Sequence, residues 1–248
     1  MLAKTKGNSV TEERRAELEK FCESIGVKMS RYDLLSMALT HSSYAYEASK
    51  KTYVKHNERI EFLGDSVLST IVSTYMFEHF NNLDEGKMTK FRAHIVCESS
   101  LYKFATKIHL GDHLLLGHGD EMGGSRNRPS VLADAFESVL GAIYLDCGLE
   151  VASDYILRLM QDEIELVCTH GIYDDYKSYL QEHLQQNGDV RIVYEITGST
   201  GAAHNKTFYA SVSHDGNVIG SGEGRSKKEA EQQAAKDALD KLGLQIKL

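Results

Sequence analysis

Apolar residues recur at two different spacings along the chain, and the change of spacing divides it into two parts. Across residues 11–165 they recur every three or four positions, which predicts a part built almost entirely of helices. Glycines mark the predicted helix ends, and Ser130, directly after the one proline, is the predicted N-cap of the last helix. The helical segments are 11–26, 34–47, 57–80, 88–108 and 130–148, with stops at Gly26, Gly86, Gly111 and Gly148.

The second part alternates apolar and polar residues, as half-buried strands do. Strands are predicted at 191–196, 207–213 and 217–224. Asp215 and Gly216 form the predicted hairpin turn between the last two strands, because an Asp-Gly pair favours a tight turn with positive φ angles. This part therefore contains a small antiparallel sheet.

Two helices flank the predicted strands. The first ends at Gly188, and the second begins at Ser226, which forms a capping box with Glu229. We predict a multidomain fold of all-α and α+β parts. Its divisions are an all-α domain at 1–166, a linker at 167–173 and an α-β-β-β-α domain at 174–243.

The segment 57–80 places three acids on one side of its helix. At about 100° per residue, Glu58, Glu61 and Asp65 fall within about 60° of one another. Each like-charge pair costs on the order of 0.2–0.5 kcal/mol in a helix, so water, a basic neighbour or a metal ion should compensate. The opposite side is apolar and suits a core, with Ile60, Leu63, Val67 and Ile71.

The last helix of the first part repeats this arrangement. Asp134 and Glu137 lie on one side, and apolar residues occupy the other. If the two helices pack side by side, their carboxylates converge, and clustered oxygen ligands suit Mg²⁺ or Mn²⁺. Such ions commonly serve phosphoryl chemistry. The alternative is that both acidic faces are simply solvated.

Composition narrows the class of protein. The formal net charge is −8, which argues mildly against nucleic-acid binding. The four cysteines are far apart and form no CxxC pair, which favours a reducing compartment. The first ten residues contain no apolar signal segment, and no apolar run is long enough to span a membrane. We expect a cytoplasmic protein without a membrane partner.

Several segments carry a resemblance to a known family. The string "HNERIEFLGDSVL" at 56–68 is very similar to the signature of the ribonuclease III family, and "VLADAFESVLGAIYLD" resembles its second acidic segment. The segments "THSSYAYE" and "DEGKMTKFRAHIV" are also similar to family segments. In the second part, "DYKSYLQEHLQ", "HNKTFYASV" and "GRSKKEAEQQAA" resemble a double-stranded RNA-binding domain.

The resemblance implies a homodimeric endoribonuclease that hydrolyses phosphodiester bonds of double-stranded RNA, leaving 5′-phosphate and 3′-hydroxyl ends. The implied cofactor is Mg²⁺, with Mn²⁺ as a substitute, and the implied substrates are ribosomal, messenger and transfer RNA precursors. It implies that Glu61 and Glu137 are direct metal ligands. Asp65 and Asp134 would hold ligands, bound waters or the attacking water, and Glu58 would support the site from its rim. Asp65 and Glu137 are the expected catalytic residues, and all four carboxylates are expected to contribute to metal binding.

The resemblance also implies contacts with a partner subunit and with RNA. Glu85 matches a residue that reaches into the partner, although it could also be an ordinary loop acid. Phe62 and Gly64 lie on the family's dimerisation helix. Gly64 has an alternative explanation, which is close packing within one subunit. The expected RNA contacts are Gln181, Glu182 and Gln185 with 2′-hydroxyls, His204 with the next minor groove, and Arg225, Lys227 and Lys228 with phosphates.

Some features keep more than one interpretation. The loop 117–130 could bring Arg126 and Arg128 near phosphates, or it could be an ordinary loop. His41 and His56 are interpreted as core or capping residues rather than metal ligands. The second domain lacks the Gly-Pro that usually precedes the loop histidine, and residues 173–248 hold nine basic against eleven acidic residues, a net charge of −2. These departures predict weak, salt-dependent RNA binding.

Two other functions are compatible with parts of the sequence. The chain could bind double-stranded RNA without cutting it, although the complete set of four acids argues against this. It could instead be a helical HD-type phosphohydrolase. The His214-Asp215 pair falls in a strand and turn rather than on a helix, which disfavours that class.

Overall fold

The computed structural model describes residues 8–48, 54–172, 176–185, 191–202 and 206–244. The chain forms two compact units, Met1–Cys168 and Thr169–Leu248. In the described ranges, no helix is long and apolar enough to cross a membrane. The predicted boundaries at 166/167 and 173/174 remain predictions.

Helices make up the first unit, with short 3-10 turns at Leu110–His113 and Ser125–Asn127. The hydrogen bonds at the helix ends follow from the residues there. Thr11 accepts the backbone N–H of Arg14 at the start of the first helix, and Gly26 ends that helix in a left-handed conformation with φ of 67°. The helices are α1 (Glu12–Ile25), α2 (Tyr32–Ala38), α3 (Ser42–Ala48), α4 (Glu58–His79), α5 (Glu85–Ile95), α6 (Glu98–Lys107), α7 (His118–Met122) and α8 (Pro129–His170).

Two segments that were predicted as continuous helices are each broken in the structure. The segment 34–47 separates into α2 and α3 because Thr40 forms a parallel bridge with Leu115, which requires extended backbone there. The segment 88–108 separates into α5 and α6 because Cys97 has extended dihedrals as the N-cap of α6. Periodicity continues across both breaks, so it did not reveal them.

The predicted helix ends need three corrections. Gly86 lies in the first turn of α5, and Gly111 lies in a 3-10 turn after α6 has ended. Ser130 is not an N-cap, because α8 already begins at Pro129. Proline suits the first helical position, since its missing N–H would have no partner there. Gly148 does interrupt α8, with φ of 88° and ψ of 177°.

The core of the first unit lies on the apolar sides of α4 and α8. Ile60, Val67 and Ile71 of α4 are buried, as are Phe136 and Val139 of α8. The acids of both helices are displaced from this core, as their positions in the sequence predict. The burial of these apolar faces therefore sets which side of each helix carries the carboxylates.

The second unit packs two helices against an antiparallel sheet of three strands, which lie side by side in the order of the chain. Asp215 and Gly216 both have positive φ, at 49° and 85°, which is the geometry of the predicted hairpin turn. The oxygen of Ser226 accepts the N–H of Glu229, as predicted. Its elements are α9 (Tyr176–Gln185), β1 (Ile192–Thr200), β2 (Thr207–His214), β3 (Asn217–Gly224) and α10 (Lys227–Lys241). Gly188 lies outside the described residues.

Strand β3 and helix α10 approach each other without intervening side chains. A Cβ atom at Gly222 would lie 2.2 Å from the backbone nitrogen of Ala234, and one at Gly220 would lie 2.3 Å from the carbonyl oxygen of Ala234. Alanines at 230, 234, 235 and 238 are buried on the facing side of α10. Small residues on both elements therefore hold the start of α10 in a fixed position on the sheet.

Candidate active site

Helices α4 and α8 cross with their backbones in contact. A Cβ atom at Gly64 would lie 1.8 Å from the carbonyl oxygen of Glu137, and one at Gly141 would lie 2.5 Å from the carbonyl oxygen of Ile60. Any side chain at Gly64 would separate the helices. Of the two explanations for Gly64, the structure therefore favours close packing within one subunit, because this buried glycine packs within its own chain.

The helix crossing brings carboxylates from both helices together. Glu61 of α4 and Asp134 and Glu137 of α8 each offer an oxygen, and these oxygens lie within 4.8 Å of one another. All three side chains are half-buried, whereas Asp65 and Glu58 of α4 are exposed. Asp65 is close enough for its charge to act on Glu137.

The three converging carboxyls are harder to ionise than free ones. Burial raises the pKa of Glu137 to about 8, and the charges of Asp65, Glu61 and Asp134 add to the effect. Burial, followed by the charge of Asp134, raises the pKa of Glu61. Burial also raises the pKa of Asp134. Half-buried carboxylates so close together repel one another, which favours either protonation of a carboxyl or binding of a cation.

The donors fit a hard divalent cation. All three members of the cluster are carboxylates, and Mg²⁺ and Mn²⁺ prefer oxygen ligands. Mg²⁺ usually keeps several waters and uses few protein carboxylates, which agrees with a half-buried cluster next to solvent. Glu61, Asp134 and Glu137 are therefore the residues that could hold an ion.

Glu98 is an acid near this cluster that the sequence analysis missed. It is exposed in the first turn of α6, and after burial its charge has the largest effect in raising the pKa of Asp134. The prediction of one helix across 88–108 concealed that Glu98 begins a new helix. No sequence signal connected it with Asp134.

Arg126, in the loop between α7 and α8, is held by contacts within the chain. Arg126 forms an ion pair with Glu121 and donates to the carbonyl oxygens of Gly111 and Leu114. Because Arg126 is engaged in these contacts, they favour the interpretation of 117–130 as an ordinary loop over one in which Arg126 contacts phosphates. Arg128 is exposed.

The two histidines considered as ligands lie beside the acids without joining the cluster. His41 precedes α3, and its Nδ1 contacts Ser43. His56 precedes α4, with its Nδ1 3.8 Å from a carboxylate oxygen of Glu58. The contact of His41 with Ser43 agrees with its interpretation as a capping residue, and the interpretation of His56 stays a prediction.

Two residues expected at the dimer interface lie on the surface of the first unit. The side chain of Phe62 is 77% exposed, which is a large apolar area for a residue so close to the acidic cluster. Glu85 is exposed in the first turn of α5 and accepts a hydrogen bond from Thr89. Neither residue is buried by its own chain.

The second unit exposes the side chains that are expected to contact RNA. Its two helices are joined by an ion pair of 2.6 Å between Lys177 of α9 and Glu231 of α10. The expected RNA contacts that are exposed are Gln181, Glu182 and Gln185 on α9 and Arg225, Lys227 and Lys228 at the start of α10. His204 lies outside the described residues.

Family models match both parts of the chain. A ribonuclease-III-like model covers residues 32–163, and a double-stranded RNA binding motif covers residues 176–242. This chain belongs to the ribonuclease III family. It is accordingly an endoribonuclease that acts on double-stranded RNA, and the predicted combination of an all-α nuclease domain with an α-β-β-β-α domain is confirmed.

Individual relatives agree with the family assignment. Ribonuclease 3 of Listeria monocytogenes is 47% identical over 227 residues, which cover 90% of this chain and 97% of that protein. Ribonuclease 3 of Clostridium perfringens is 45% identical over 227 residues, covering 92% of this chain and 93% of that protein. These similarities contradict the alternatives of a non-cleaving RNA-binding protein and an HD-type phosphohydrolase.

A solved structure resembles the nuclease domain. The nuclease domain of ribonuclease III from Campylobacter jejuni matches with a TM-score of 0.53 and 41% identity, covering 58% of this chain and 96% of that one. It is described as having structural flexibility in a region involved in dimer formation. Its coverage corresponds to the helical unit that carries the acidic cluster.

Proposed function

We propose that this ribonuclease III family chain hydrolyses double-stranded RNA at the acidic cluster with the help of Mg²⁺, for which Mn²⁺ is a substitute. The convergence of Glu61, Asp134 and Glu137 within 4.8 Å is the observation that carries the proposal. The raised pKa values of these carboxyls support it, because a divalent cation would relieve the repulsion among them.

The positions of the acids support the role proposed for each. Glu61 and Glu137 face each other across the helix crossing and would bind the ion directly, with Asp134 beside them. A bound ion supplies activation of a water, neutralisation of the phosphate and stabilisation of the leaving oxygen. Asp65 is exposed one turn after Glu61, where it would orient the attacking water. Glu58 would keep the rim of the site acidic.

The chemistry of the products follows from hydrolysis by water. If water attacks the phosphorus and the 3′ oxygen leaves, the products carry 5′-phosphate and 3′-hydroxyl ends. No side chain of the cluster needs to form a covalent bond with RNA, because carboxylates here serve as ligands and orienting groups.

The second unit would hold the duplex for this reaction. The N-terminus of α10 offers free backbone N–H groups next to the exposed Arg225, Lys227 and Lys228, and this combination suits phosphates. Gln181, Glu182 and Gln185 would contact 2′-hydroxyls, which distinguish RNA from DNA.

We also infer a homodimer. One chain offers one acidic cluster, whereas cleavage of both strands of a duplex calls for two clusters related by two-fold symmetry. The exposed Phe62 is the apolar anchor for this contact, and Glu85 is its proposed polar neighbour. Ribosomal, messenger and transfer RNA precursors in the cytoplasm are the proposed substrates, since all contain duplex segments.

The test compares Glu137→Gln with the native chain on long double-stranded RNA in Mg²⁺. Gln keeps the size of the side chain but loses the charge that attracts the ion, so we expect cleavage to fall on the order of 100-fold or more. RNA binding without divalent ions should be unchanged. Glu150→Gln is the matched control, because Glu150 is an exposed acid of the same helix α8.

Separate measurements test the site assignment, the end chemistry and the dimer. Equal cleavage by the native chain and Glu137→Gln would show that Glu137 is only a solvated acid and that the site assignment is wrong. Mapping the ends of the native products by ligation tests the end chemistry. Sedimentation of native chain and Phe62→Ala tests the dimer, which should dissociate in the variant.

A further inference from the structure

Lys177 of α9 joins three elements of the second unit through one ammonium group. Its Nζ donates to a carboxylate oxygen of Glu231 on α10 at 2.6 Å. The same Nζ lies over the ring of Tyr194 on β1, 4.1 Å from the ring centroid. The side chains of Lys177 and Glu231 are only 31% and 25% exposed. The ammonium is therefore engaged by two partners within the unit.

Further contacts strengthen the junction between the start of α9 and α10. The first N–H groups of a helix have no partner inside that helix, and the N–H of Lys177 donates to Oε1 of Gln232 on α10 at 3.0 Å. The preceding residue, Tyr176, is buried in the core of the unit, and Nζ of Lys236 lies 5.5 Å from the centroid of its ring. The first turn of α9 is thus attached to α10 by both backbone and side chains.

Helical geometry connects this junction to both groups of expected RNA contacts. Gln181 and Gln185 follow Lys177 by one and two turns on roughly the same side of α9, about 6 and 12 Å farther along the axis. On α10, Lys227 precedes Glu231 by four residues, or about 6 Å. The residues expected at 2′-hydroxyls and those expected at phosphates therefore both begin about one turn from the same ion pair.

A duplex demands a fixed spacing between these two groups. A domain of this kind contacts successive minor grooves and the phosphates of the major groove between them. The A-form helix sets the separation of these features, so α9 and α10 can make their contacts together in only one relative position. A junction that holds this position before RNA arrives reduces the entropy that binding would otherwise lose.

We propose that Lys177 is a positioning residue for RNA binding, which fixes α9 against α10 so that both groups of contacts form on one duplex. This inference rests on the proposed function of the second unit, in which α9 contacts 2′-hydroxyls and α10 contacts phosphates. Lys177 contacts no phosphate itself, because its ammonium stays paired with Glu231. The role belongs to the pair, so Glu231 contributes to RNA binding although it is an acid.

Opposite charges make the two members of the pair a sharp test. By charge alone, loss of the cation in Lys177→Met should weaken binding to the RNA polyanion, and loss of the acid in Glu231→Ala should strengthen it. Positioning predicts that both variants bind more weakly. Lys177→Arg is the conservative variant, because Arg can also pair with a carboxylate and lie over an aromatic ring.

The matched control is Lys241→Met. Lys241 forms an ion pair of the same length, 2.6 Å, with Asp237. Both of these residues belong to α10, so their pair cannot fix α9 against it. Calorimetric unfolding of every variant verifies that the second unit is folded at the temperature of the binding assay.

The primary measurement is fluorescence anisotropy with an RNA duplex of about 20 base pairs, longer than the roughly 16 that such a domain spans, in different KCl concentrations without divalent ions. We expect Lys177→Met and Glu231→Ala each to weaken binding about 3- to 10-fold, through the lost preorganisation. The slope of log affinity against log salt should keep its native value, because no phosphate contact is lost. Lys177→Arg and Lys241→Met should bind like the native chain.

The double variant Lys177→Met/Glu231→Ala tests whether the two residues act as one unit. Because either single change already breaks the pair, the double variant should bind no more weakly than Lys177→Met. Additive losses would show that the two residues act separately and would overturn the inference.

Other results would also overturn it. A smaller salt slope in Lys177→Met would show that Lys177 contacts a phosphate directly. Weaker binding by Lys177→Met with tighter binding by Glu231→Ala would reduce the effect to net charge. Native affinity in both variants would mean that burial of Tyr176 and Leu180 is enough to place α9.

Lys228→Ala distinguishes failure of this inference from failure of the proposed RNA surface. Native affinity in that variant would overturn the phosphate contacts on which the inference rests. Weaker binding by Lys228→Ala, together with native binding by Lys177→Met, would overturn only the role of Lys177.

Discussion

The two units use the same kind of backbone contact for opposite electrostatic purposes. In the nuclease unit, Gly64 brings α4 against α8, and like charges converge where the helices meet. In the RNA-binding unit, Gly222 brings β3 against α10, and the basic side chains spread outward from the helix start. On the proposed function, the first arrangement needs a cation and the second does not, so the two units should respond differently to substitution, pH and salt.

Alanine substitutions at the contact glycine of each unit should produce the largest effects on stability. Gly64→Ala would force a Cβ to within 1.8 Å of the carbonyl oxygen of Glu137, and Gly222→Ala would force one to within 2.2 Å of the nitrogen of Ala234. Overpacking of this kind typically costs about 1–3 kcal/mol, and backbone atoms cannot move aside as side chains do, so we expect about 3 kcal/mol or more. Calorimetric unfolding should show loss of the nuclease transition in the first variant and of the RNA-binding transition in the second.

The control for both glycine variants is Gly119→Ala. A Cβ at that position would meet no atom within 4 Å, so its unfolding should match that of the native chain. If Gly64→Ala unfolds like this control, then the backbone contact does not set the distance between α4 and α8.

The two units should also differ in how their stability depends on pH, and this effect should be smaller than that of the glycine substitutions. Between about pH 4.5 and 8, the folded chain keeps a proton on Glu137 that the unfolded chain has lost. Stability of the metal-free nuclease unit should therefore decrease as pH rises through this range. Mg²⁺ should raise its unfolding temperature by about 5 °C at saturating concentration, and more at pH 8 than at pH 6, because the ion binds the ionised carboxylates.

Glu137→Gln isolates this contribution from that of other titrating groups. The variant should lose the part of the pH dependence that is due to Glu137 and should gain little from Mg²⁺. Thermal unfolding of both proteins at several pH values, with and without Mg²⁺, measures the difference. An unchanged pH profile in the variant would mean that Glu137 ionises normally in the folded chain.

Substitutions at the start of α10 should give the smallest effects. Lys227→Ala and Lys228→Ala should each weaken binding of double-stranded RNA a few-fold and reduce the slope of log affinity against log salt by about 1, because each lysine would neutralise about one phosphate. Fluorescence anisotropy in 50–200 mM KCl without divalent ions measures this. Lys241→Ala is the control, since Lys241 pairs with Asp237 at the opposite end of the helix. An equal slope in all three variants would place the RNA elsewhere.

Local patterns in the sequence predicted much of the fold. The sides of α4 and α8 that carry acids were predictable because apolar periodicity fixes which side of each helix is buried. The hairpin at Asp215 and the cap at Ser226 were predictable because they depend only on neighbouring residues. The resemblance supplied the roles of the four carboxylates, which periodicity could not.

Contacts between distant segments explain what the sequence did not reveal. The break between α2 and α3 depends on the pairing of Thr40 with Leu115, and the reason for Gly64 depends on Glu137. Glu98 reaches the neighbourhood of Asp134 only because a new helix begins there. None of these partners can be identified from the spacing of apolar residues.

The crossing of Gly64 and Gly141 also limits how the enzyme can evolve. Because no side chain separates α4 from α8 there, repacking the surrounding core cannot gradually widen or narrow the gap between Glu61 and Glu137. The backbones of the two helices therefore set that gap. A laboratory selection that alters metal preference would have to work through other positions around the carboxylates, such as Glu98, rather than through the distance between the two helices.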